Sequence, residues 1–149
     1  MSETLQLKLR GASANDAEFA FQVLKETMRE YVVATWGSWR EEESRRETVE
    51  QVTAGRSQII ELDGTPIGVQ LVDRPGTHIQ VVQLYIAKAF QRRGFATELL
   101  KRLLAEARES SLPIRLRVLA VNPAKRLYER LGFVVVESTP ERHFMEWKP

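Results

Sequence analysis

The feature that most constrains the fold is a run of strand-like segments divided by two turn pairs. The stretch SQIIELDGTPIGVQLVDRPGTHIQVVQLYIA, residues 57–87, contains the turn pairs Asp63-Gly64 and Pro75-Gly76 between β-rich runs. Asp-Gly between apolar runs is a strong hairpin signal, and Pro-Gly marks a turn. We therefore predict an antiparallel meander of three strands in the middle of the chain.

The segments before the meander predict one strand and two helices. LQLKLR, residues 5–10, alternates apolar and polar residues as a half-buried strand does. Ser13 and Asp16 have capping-box spacing, and apolar residues then recur at helical spacing as far as Tyr31 until ATWGSW, residues 34–39, interrupts them. A charged segment, residues 40–54, is predicted as a second, mostly solvated helix that packs Val49 and Val52 inward.

The segments after the meander alternate between helix and strand. A leucine-rich helix follows Gly94 and ends near Ser110, and IRLRVLAV then forms a strand with Arg115 and Arg117 on one face. Asn122-Pro123 predicts a helix start and Gly132 its end, and the segments 133–138 and 143–149 form two closing strands. The order β-α-α-β-β-β-α-β-α-β-β predicts one α/β domain over residues 1–149, with antiparallel pairing in the meander and one parallel pair across the following helix.

Composition excludes several classes of protein. No cysteine is present, and the two histidines, His78 and His143, are far apart in sequence, so we predict no metal and no cysteine nucleophile. A net charge of +2 is too small to indicate nucleic acid as the main partner. The N-terminal MSETLQLKLRGAS has no apolar core of a signal peptide, and no run has membrane-spanning length. We therefore predict a cytoplasmic protein that does not act on membranes.

The segment QRRGFA, residues 91–96, stands between a strand and a helix and has no apolar periodicity. A helix N-terminus exposes unpaired N–H groups with partial positive charge, and Gly94 lets a backbone approach an anion closely. Arg92 and Arg93 add positive charge for phosphates. The pattern favours a phosphate-binding loop, although a basic loop before an ordinary helix is an open alternative.

Two better-known phosphate motifs are absent. The chain has neither Gly-x-x-x-x-Gly-Lys-Ser/Thr nor Gly-x-Gly-x-x-Gly, so nucleoside triphosphate and dinucleotide loops are excluded.

With its flanks, this loop resembles the cofactor motif of the GNAT acetyltransferases. LYI, AKAF and QRRGFA match the family's strand end, loop and Gln/Arg-x-x-Gly-x-Gly/Ala run, and NPAKRLYERLGF, residues 122–133, matches a second family motif. The element order matches the family along essentially the whole chain. The resemblance implies a mixed, mostly antiparallel sheet flanked by helices, with splayed central strands.

The resemblance also implies acetyl-CoA as the cofactor. The backbone of Leu84, Tyr85 and Ile86 and the side chain of Asn122 would hold the pantetheine arm between the splayed strands. The pyrophosphate would lie on the amides of the following loop, which comprises Gln91, Arg92, Arg93, Gly94, Phe95, Ala96 and Thr97.

Tyr128 matches the family tyrosine that protonates the departing thiolate, although its place beside Leu127 and Leu131 is equally typical of a core residue. The general base is left open: Gln80 and Gln83 stand where some family members have a carboxylate, and water, His143, Glu146, Glu30 and Glu43 are the alternatives.

In this family the acceptor enters between the first two helices and the sheet, so the aromatic residues Tyr31, Trp36 and Trp39 are candidates to bind an amine, with His143 from the last strands. Glu41, Glu42 and Glu43 would supply negative charge. The two tryptophans are equally compatible with a cap on the core or with the apolar surface of a homodimer.

Together these features predict an N-acetyltransferase that moves an acetyl group from acetyl-CoA to a primary amine of a small molecule or peptide. Without cysteine, no acetyl-cysteine intermediate can form, so the amine would attack directly in a ternary complex. A non-catalytic acyl-CoA-binding domain is the main alternative. A nucleic-acid module using the basic residues would bind with strong salt dependence, but the balancing acids disfavour it.

Overall fold

The computed structural model describes residues 6–149, and its elements follow the predicted order. The strands are β1 (Leu7–Gly11), β2 (Ser57–Leu62), β3 (Thr65–Asp73), β4 (Ile79–Ile86), β5 (Ile114–Leu119), β6 (Val134–Ser138) and β7 (Arg142–Trp147). The helices are α1 (Ala17–Trp36), α2 (Glu41–Thr53), α3 (Phe95–Ser110) and α4 (Lys125–Arg130). The predictions made for residues 1–5 lie outside the described part.

The seven strands form one sheet in the order β1-β2-β3-β4-β5-β7-β6. The pairs β1–β2, β2–β3, β5–β7 and β6–β7 are antiparallel, and β4–β5 is parallel. The predicted mixed, mostly antiparallel sheet is therefore confirmed. The insertion of β7 between β5 and β6 could not be predicted, because strand order depends on contacts between distant segments.

The parallel ladder between β4 and β5 is short. Its register comprises Ile79 with Ile114, Gln80 with Arg115, and Val81 with Leu116. β4 nevertheless continues to Ile86 and β5 to Leu119. The two strands thus part after their third pair, which confirms the predicted splay.

The chain divides into two compact units, which are described in turn; a single domain over 1–149 stays a prediction. The first unit comprises Met1–Arg29, Arg40–Leu71 and Gln83–Phe95. Its helices pack against β3 through a buried cluster of Ala20, Val23, Val52 and Val69. The prediction that Val49 packs inward is wrong, since 41% of it is exposed, whereas Val52 is buried.

The turn before α1 forms the predicted capping box of Ser13 and Asp16. Asp16 Oδ2 accepts the Ser13 N–H at 2.8 Å, and a short 3-10 helix, Ala14–Asp16, precedes α1. Arg10 of β1 donates to both oxygens of Asp16, at 2.8 and 2.9 Å. These bonds hold the pKa of Asp16 at about 2, below its usual 3.8, mainly because Arg10 stabilises the charged carboxylate.

Strand β3 carries a bulge beside the end of β4. Along β2, Ile60 pairs with Gly68 and Glu61 with Pro66, so Ile67 is an extra residue in β3. A Cβ on Gly68 would lie 2.3 Å from the Tyr85 carbonyl oxygen and 3.2 Å from Ile86 Cα. Because a Cβ projects out of the plane of the sheet, this carbonyl lies over the face of β3 rather than in its plane.

The second unit comprises Glu30–Trp39, Val72–Val82 and Ala96–Pro149. In its part of the sheet, the pairs Ile114–Trp147 and Leu116–Met145 are buried. The guanidinium of Arg108, in α3, lies 5.1 Å from the Trp147 ring, so α3 covers this face. The opposite face carries the pairs Arg115–Glu146, Arg117–Phe144 and Leu119–Arg142.

Helix α1 ends within the predicted interruption but extends three residues into it. It runs through ATW to Trp36 and stops at Gly37, whose φ of +86° is left-handed. The predicted interruption at residues 34–39 therefore holds only from Gly37 onward, because alanine, threonine and tryptophan fit a helix and only the glycine cannot continue it without cost.

Strand β6 forms one edge of the sheet and exposes a row of valines. Val134, Val135 and Val136 are 59%, 39% and 58% exposed. Val135 pairs with Met145 and Glu137 with Phe144, so Val136 is a bulged extra residue.

Candidate functional site

The loop from Gln91 to Gly94 has an unusual backbone. Arg92 has a φ of +65° and Gly94 a φ of +82°, both left-handed, directly before α3 begins at Phe95. Left-handed residues in such a loop turn successive N–H groups toward one side and form a concave seat for an anion. A Cβ on Gly94 would have nothing within 4 Å, so the space beside this seat is open. The first turn of α3, with Ala96 and Thr97, adds the exposed N–H groups of a helix N-terminus.

Hydrogen bonds tie this loop to the end of β4. Gln91 Nε2 donates to the Ile86 carbonyl at 2.8 Å, and the 3-10 helix Lys88–Phe90 fills the interval. The Ala87 N–H donates to the Ile67 carbonyl of β3 at 2.7 Å. The guanidinium of Arg93 lies 5.6 Å from the Phe90 ring. The anion seat is therefore held at a fixed position relative to the last residues of β4.

The predicted pantetheine strand, Leu84 to Ile86, ends β4 in the same unit. Ile86 is buried, and the half-buried Tyr85 packs against the cluster beneath α1 and α2. On the neighbouring strand, Gly68 leaves room for the displaced Tyr85 carbonyl. These residues and Gln91–Phe95 are thus brought together within the first unit.

Asn122 and Tyr128 lie in the second unit, around α4. Asn122 Oδ1 accepts the Ala124 N–H at 2.9 Å, and α4 begins at Lys125, later than the predicted start at Pro123. The Tyr128 ring meets Phe133 edge-on at 5.9 Å. Burial of its hydroxyl raises the pKa of Tyr128 from 10.0 to about 12, because the phenolate would lose hydration. The residue as a whole is half-buried.

The predicted acceptor residues are only partly brought together. Trp36 is 50% exposed, and the Arg142 guanidinium lies 5.3 Å from its ring. Tyr31 is one turn earlier on α1, and Trp39 is half-buried after the helix end. His143 bonds to Ser138 at 2.7 Å and pairs with the buried Val118, so it faces away from Arg142. The roles of all four aromatic side chains stay predictions.

Acidic residues predicted near the acceptor are engaged in ion pairs. Glu41 lies 2.6 Å from Lys25, and Glu43 lies 3.3 Å from Arg40. Glu146 pairs with Arg115 at 2.9 Å. The side chains of Gln80 and Gln83 bond to His78 and Gln51, each at 3.2 Å. Within residues 6–149 no three histidine or acidic residues cluster as a metal site would require.

A cavity of about 350 Å³ opens on the uncovered face of the second unit, and sequence reasoning missed it. Its charged and apolar walls include Arg115, Arg117, Val82, Val136 and Phe144. The alternation in β5 does place Arg115 and Arg117 on one face. The contribution of β7 depends on its register against β5, which the sequence does not encode locally.

The sequence profile of the acetyltransferase (GNAT) domain matches residues 19–149. The chain belongs to the GNAT acetyltransferase family. No curated protein matches this GNAT chain with significant sequence similarity.

Solved structures resemble this GNAT protein over nearly its whole length. The PaiA N-acetyltransferase of Thermoplasma acidophilum, solved with coenzyme A, is 18% identical with a TM-score of 0.74, covering 97% of this chain and 99% of that chain. An acetyltransferase of Thermus thermophilus is 20% identical with a TM-score of 0.75, covering 97% of each chain. The ribosomal-protein-S18-alanine N-acetyltransferase of Escherichia coli is 17% identical with a TM-score of 0.69, covering 96% of this chain and 94% of that chain.

The family and the shared fold support acyl-CoA-dependent acetyl transfer as the general activity of this GNAT protein. None of its helices within the described residues is both long and apolar enough to span a bilayer.

Proposed function

We propose that this GNAT protein transfers the acetyl group of acetyl-CoA to a primary amine by direct attack within a ternary complex. The observation that carries this proposal is the loop before α3, with left-handed Arg92 and Gly94 and open space beside the glycine. Such a concave set of N–H donors at a helix N-terminus is suited to bind phosphate groups, and the pyrophosphate of CoA supplies two of them.

The loop and strand fit the two ends of the CoA arm. Backbone N–H groups of residues 91–97 would bind the pyrophosphate, with Arg92 and Arg93 adding charge. The backbone of Leu84–Ile86 would pair with the pantetheine amides, as an added strand does. Asn122, whose Oδ1 accepts the Ala124 N–H at 2.9 Å, is also proposed to contact the arm. The Gln91–Ile86 hydrogen bond of 2.8 Å fixes the spacing between the two binding segments.

The chemistry needs one attack and one proton donor. The amine nitrogen attacks the thioester carbonyl carbon, the carbon–sulfur bond breaks, and the sulfur leaves as a thiolate. The Tyr128 hydroxyl would give that thiolate its proton, while the attacking nitrogen loses one to water. A phenol with a pKa of about 12 is fully protonated at neutral pH. Desolvation raises the basicity of the thiolate as well, so the transfer stays feasible.

Calorimetric titration with acetyl-CoA tests the loop. Wild type should show saturable one-site binding, and Gly94→Asp should lose it, because a carboxylate would fill the anion seat with like charge. Gly64→Asp is the matched control: Gly64 has a φ of +85° and nothing within 4 Å of its Cβ position, so the backbone strain is the same. Absence of binding by folded wild type would overturn the proposal.

A second experiment separates catalysis from mere binding. The alternative, a non-catalytic acyl-CoA-binding domain, predicts that Tyr128→Phe behaves as wild type in every assay. The proposal predicts unchanged acetyl-CoA affinity and a thiol-release rate lower by about 100-fold or more, the usual contribution of a general acid. The phenylalanine ring retains the edge contact with Phe133, so folding is preserved.

A further inference from the structure

Two arginines meet on the uncovered face of the second unit. Arg117 pairs with Phe144 across β5 and β7, and Arg142 pairs with Leu119, so the two arginines are diagonal neighbours on the same face. Diagonal neighbours in an antiparallel pair are about 7–8 Å apart, within reach of each other's long side chains. Burial, and then the positive charge of Arg117, lower the pKa of Arg142 from its ordinary value, and the nearby charge of Glu141 offsets this only in part.

Neither arginine has a carboxylate within ion-pair distance among residues 6–149. Each of the other two basic groups nearby is paired: Arg115 lies 2.9 Å from Glu146, and Lys148 lies 3.8 Å from the same side chain. Arg142 is held instead by the Trp36 ring, 5.3 Å from its guanidinium. Like charges placed together repel, so two guanidinium groups at this spacing form a site of positive potential that an anion would bind favourably.

Arg117 lines the cavity where the central strands part, and Arg142 is its diagonal neighbour on the same face. Val81 and Leu116, the last pair of the β4–β5 ladder, line this cavity together with Arg117. Val82, Val136 and Phe144 give it apolar walls. A volume of about 350 Å³ is at the lower end of small-molecule sites and fits an amino acid or a dipeptide.

We infer that the acceptor of this protein is a small amine that also carries an anionic group, a carboxylate or a phosphate, and that Arg117 and Arg142 bind this group. The inference rests on the proposed N-acetyltransferase function, since it names the class of acceptor. The apolar walls bind the part of the acceptor between its amine and its anion. Charge-assisted, bidentate bonds to guanidinium groups give such an anion both affinity and orientation.

The same face disfavours a diamine or polyamine. A second ammonium group would meet two positive charges, and the acidic residues Glu41 and Glu43 are already paired with Lys25 and Arg40.

Binding of matched probes tests the inference. The probes are alanyl-phenylalanine, its C-terminal amide, O-phosphoethanolamine and cadaverine, titrated calorimetrically with and without acetyl-CoA. In wild type, at least one of the two anionic probes, alanyl-phenylalanine or O-phosphoethanolamine, should bind at least 10-fold more tightly than the amide and cadaverine. The anionic probe with the higher affinity shows whether the site prefers a carboxylate or a phosphate. Arg117→Gln should weaken the anionic probe about 10- to 100-fold and leave the amide unchanged.

Further variants separate the arginine site from general charge. Arg117→Lys should restore part of the affinity, Arg142→Gln should repeat the loss, and Lys101→Gln, which removes one exposed charge from α3, should change nothing. The inference would be overturned if the amide bound as tightly as alanyl-phenylalanine, or if cadaverine bound most tightly. It would also be overturned if Arg117→Gln bound the anionic probe as wild type does, or if a protein that binds acetyl-CoA bound none of the probes. If acetyl-CoA does not bind, the proposed function is overturned instead. The titrations of the probes in the absence of acetyl-CoA still test whether the two arginines bind an anion.

Discussion

Adding one methyl group at Gly68 is expected to destabilise the protein through β4. The new Cβ would lie 2.3 Å from the Tyr85 carbonyl oxygen and 3.2 Å from Ile86 Cα, both backbone atoms. A carbon and an oxygen need about 3.3 Å, so one strand must move by about 1 Å. The hydrogen bond from Ala87 to Ile67, now 2.7 Å, would then stretch beyond the usual limit of about 3.2 Å.

The magnitude follows from three contributions. Overpacking costs about 1–3 kcal/mol and the lost hydrogen bond about 1 kcal/mol. The reduced entropy of the unfolded chain offsets about 0.4–1 kcal/mol. Gly68→Ala should therefore lower the free energy of unfolding by about 1–3.5 kcal/mol, or the Tm by roughly 3–12 °C. Because the Tyr85 carbonyl moves, acetyl-CoA should also bind more weakly.

Urea and thermal unfolding measure this effect, with Gly11→Ala as the control. Gly11 also lies in a strand, but its Cβ position has nothing within 4 Å. This control should be neutral or slightly stabilising. If Gly68→Ala unfolds at the same urea concentration as Gly11→Ala, the close approach of Tyr85 to β3 does not exist in solution, and the reasoning is refuted.

Three further predictions follow from local contacts. Burial holds the pKa of Tyr128 at about 12, so the rate of thiol release by wild type should not fall between pH 7 and 10 through loss of the Tyr128 proton. A fall in this range that is present in wild type and absent in Tyr128→Phe would contradict the assignment. Asp16 has a folded pKa of about 2, below its unfolded value of 3.8, so its stabilisation is present above pH 3.8 and is lost as the pH falls through about 2. Since Arg10 is 39% exposed, Asp16→Asn should lower the free energy of unfolding by only about 1 kcal/mol at pH 7. Urea unfolding should show the difference between wild type and variant shrinking toward pH 2. A difference that stays constant with pH would exclude the ion pair as its cause. Gln91→Met removes the 2.8 Å hydrogen bond to the Ile86 carbonyl, so calorimetry should show an affinity for acetyl-CoA about fivefold lower, with little change in Tm. An unchanged affinity would show that this hydrogen bond does not position the loop.

Local patterns predicted most of the elements. Asp63 and Gly64 have φ values of +49° and +85°, the left-handed pair that a tight hairpin turn requires. The leucine spacing predicted α3 to its end at Ser110. These features depend on residues close together in sequence, so the sequence of one protein is sufficient to predict them.

The face that carries Arg117 and Arg142 depends on contacts that local patterns do not encode. Arg117 and Arg142 meet only because β7 inserts beside β5 in one particular register, and a shift of one residue would turn Arg142 to the other face. Trp36 reaches Arg142 only because α1 continues to its end at that residue. Glu41 was predicted to supply negative charge for an amine, and the sequence did not indicate that Lys25, sixteen positions earlier on another helix, lies 2.6 Å away.

The exposed valines of β6 have a consequence for how the protein behaves at high concentration. A flat edge strand of apolar residues is a template on which a second chain can add its own strand. The extra Val136 breaks the regular spacing of N–H and C=O groups along that edge, and Glu137 follows it with a charge. The bulge therefore disfavours the addition of one chain to the edge of another, and its deletion would favour the growth of fibres.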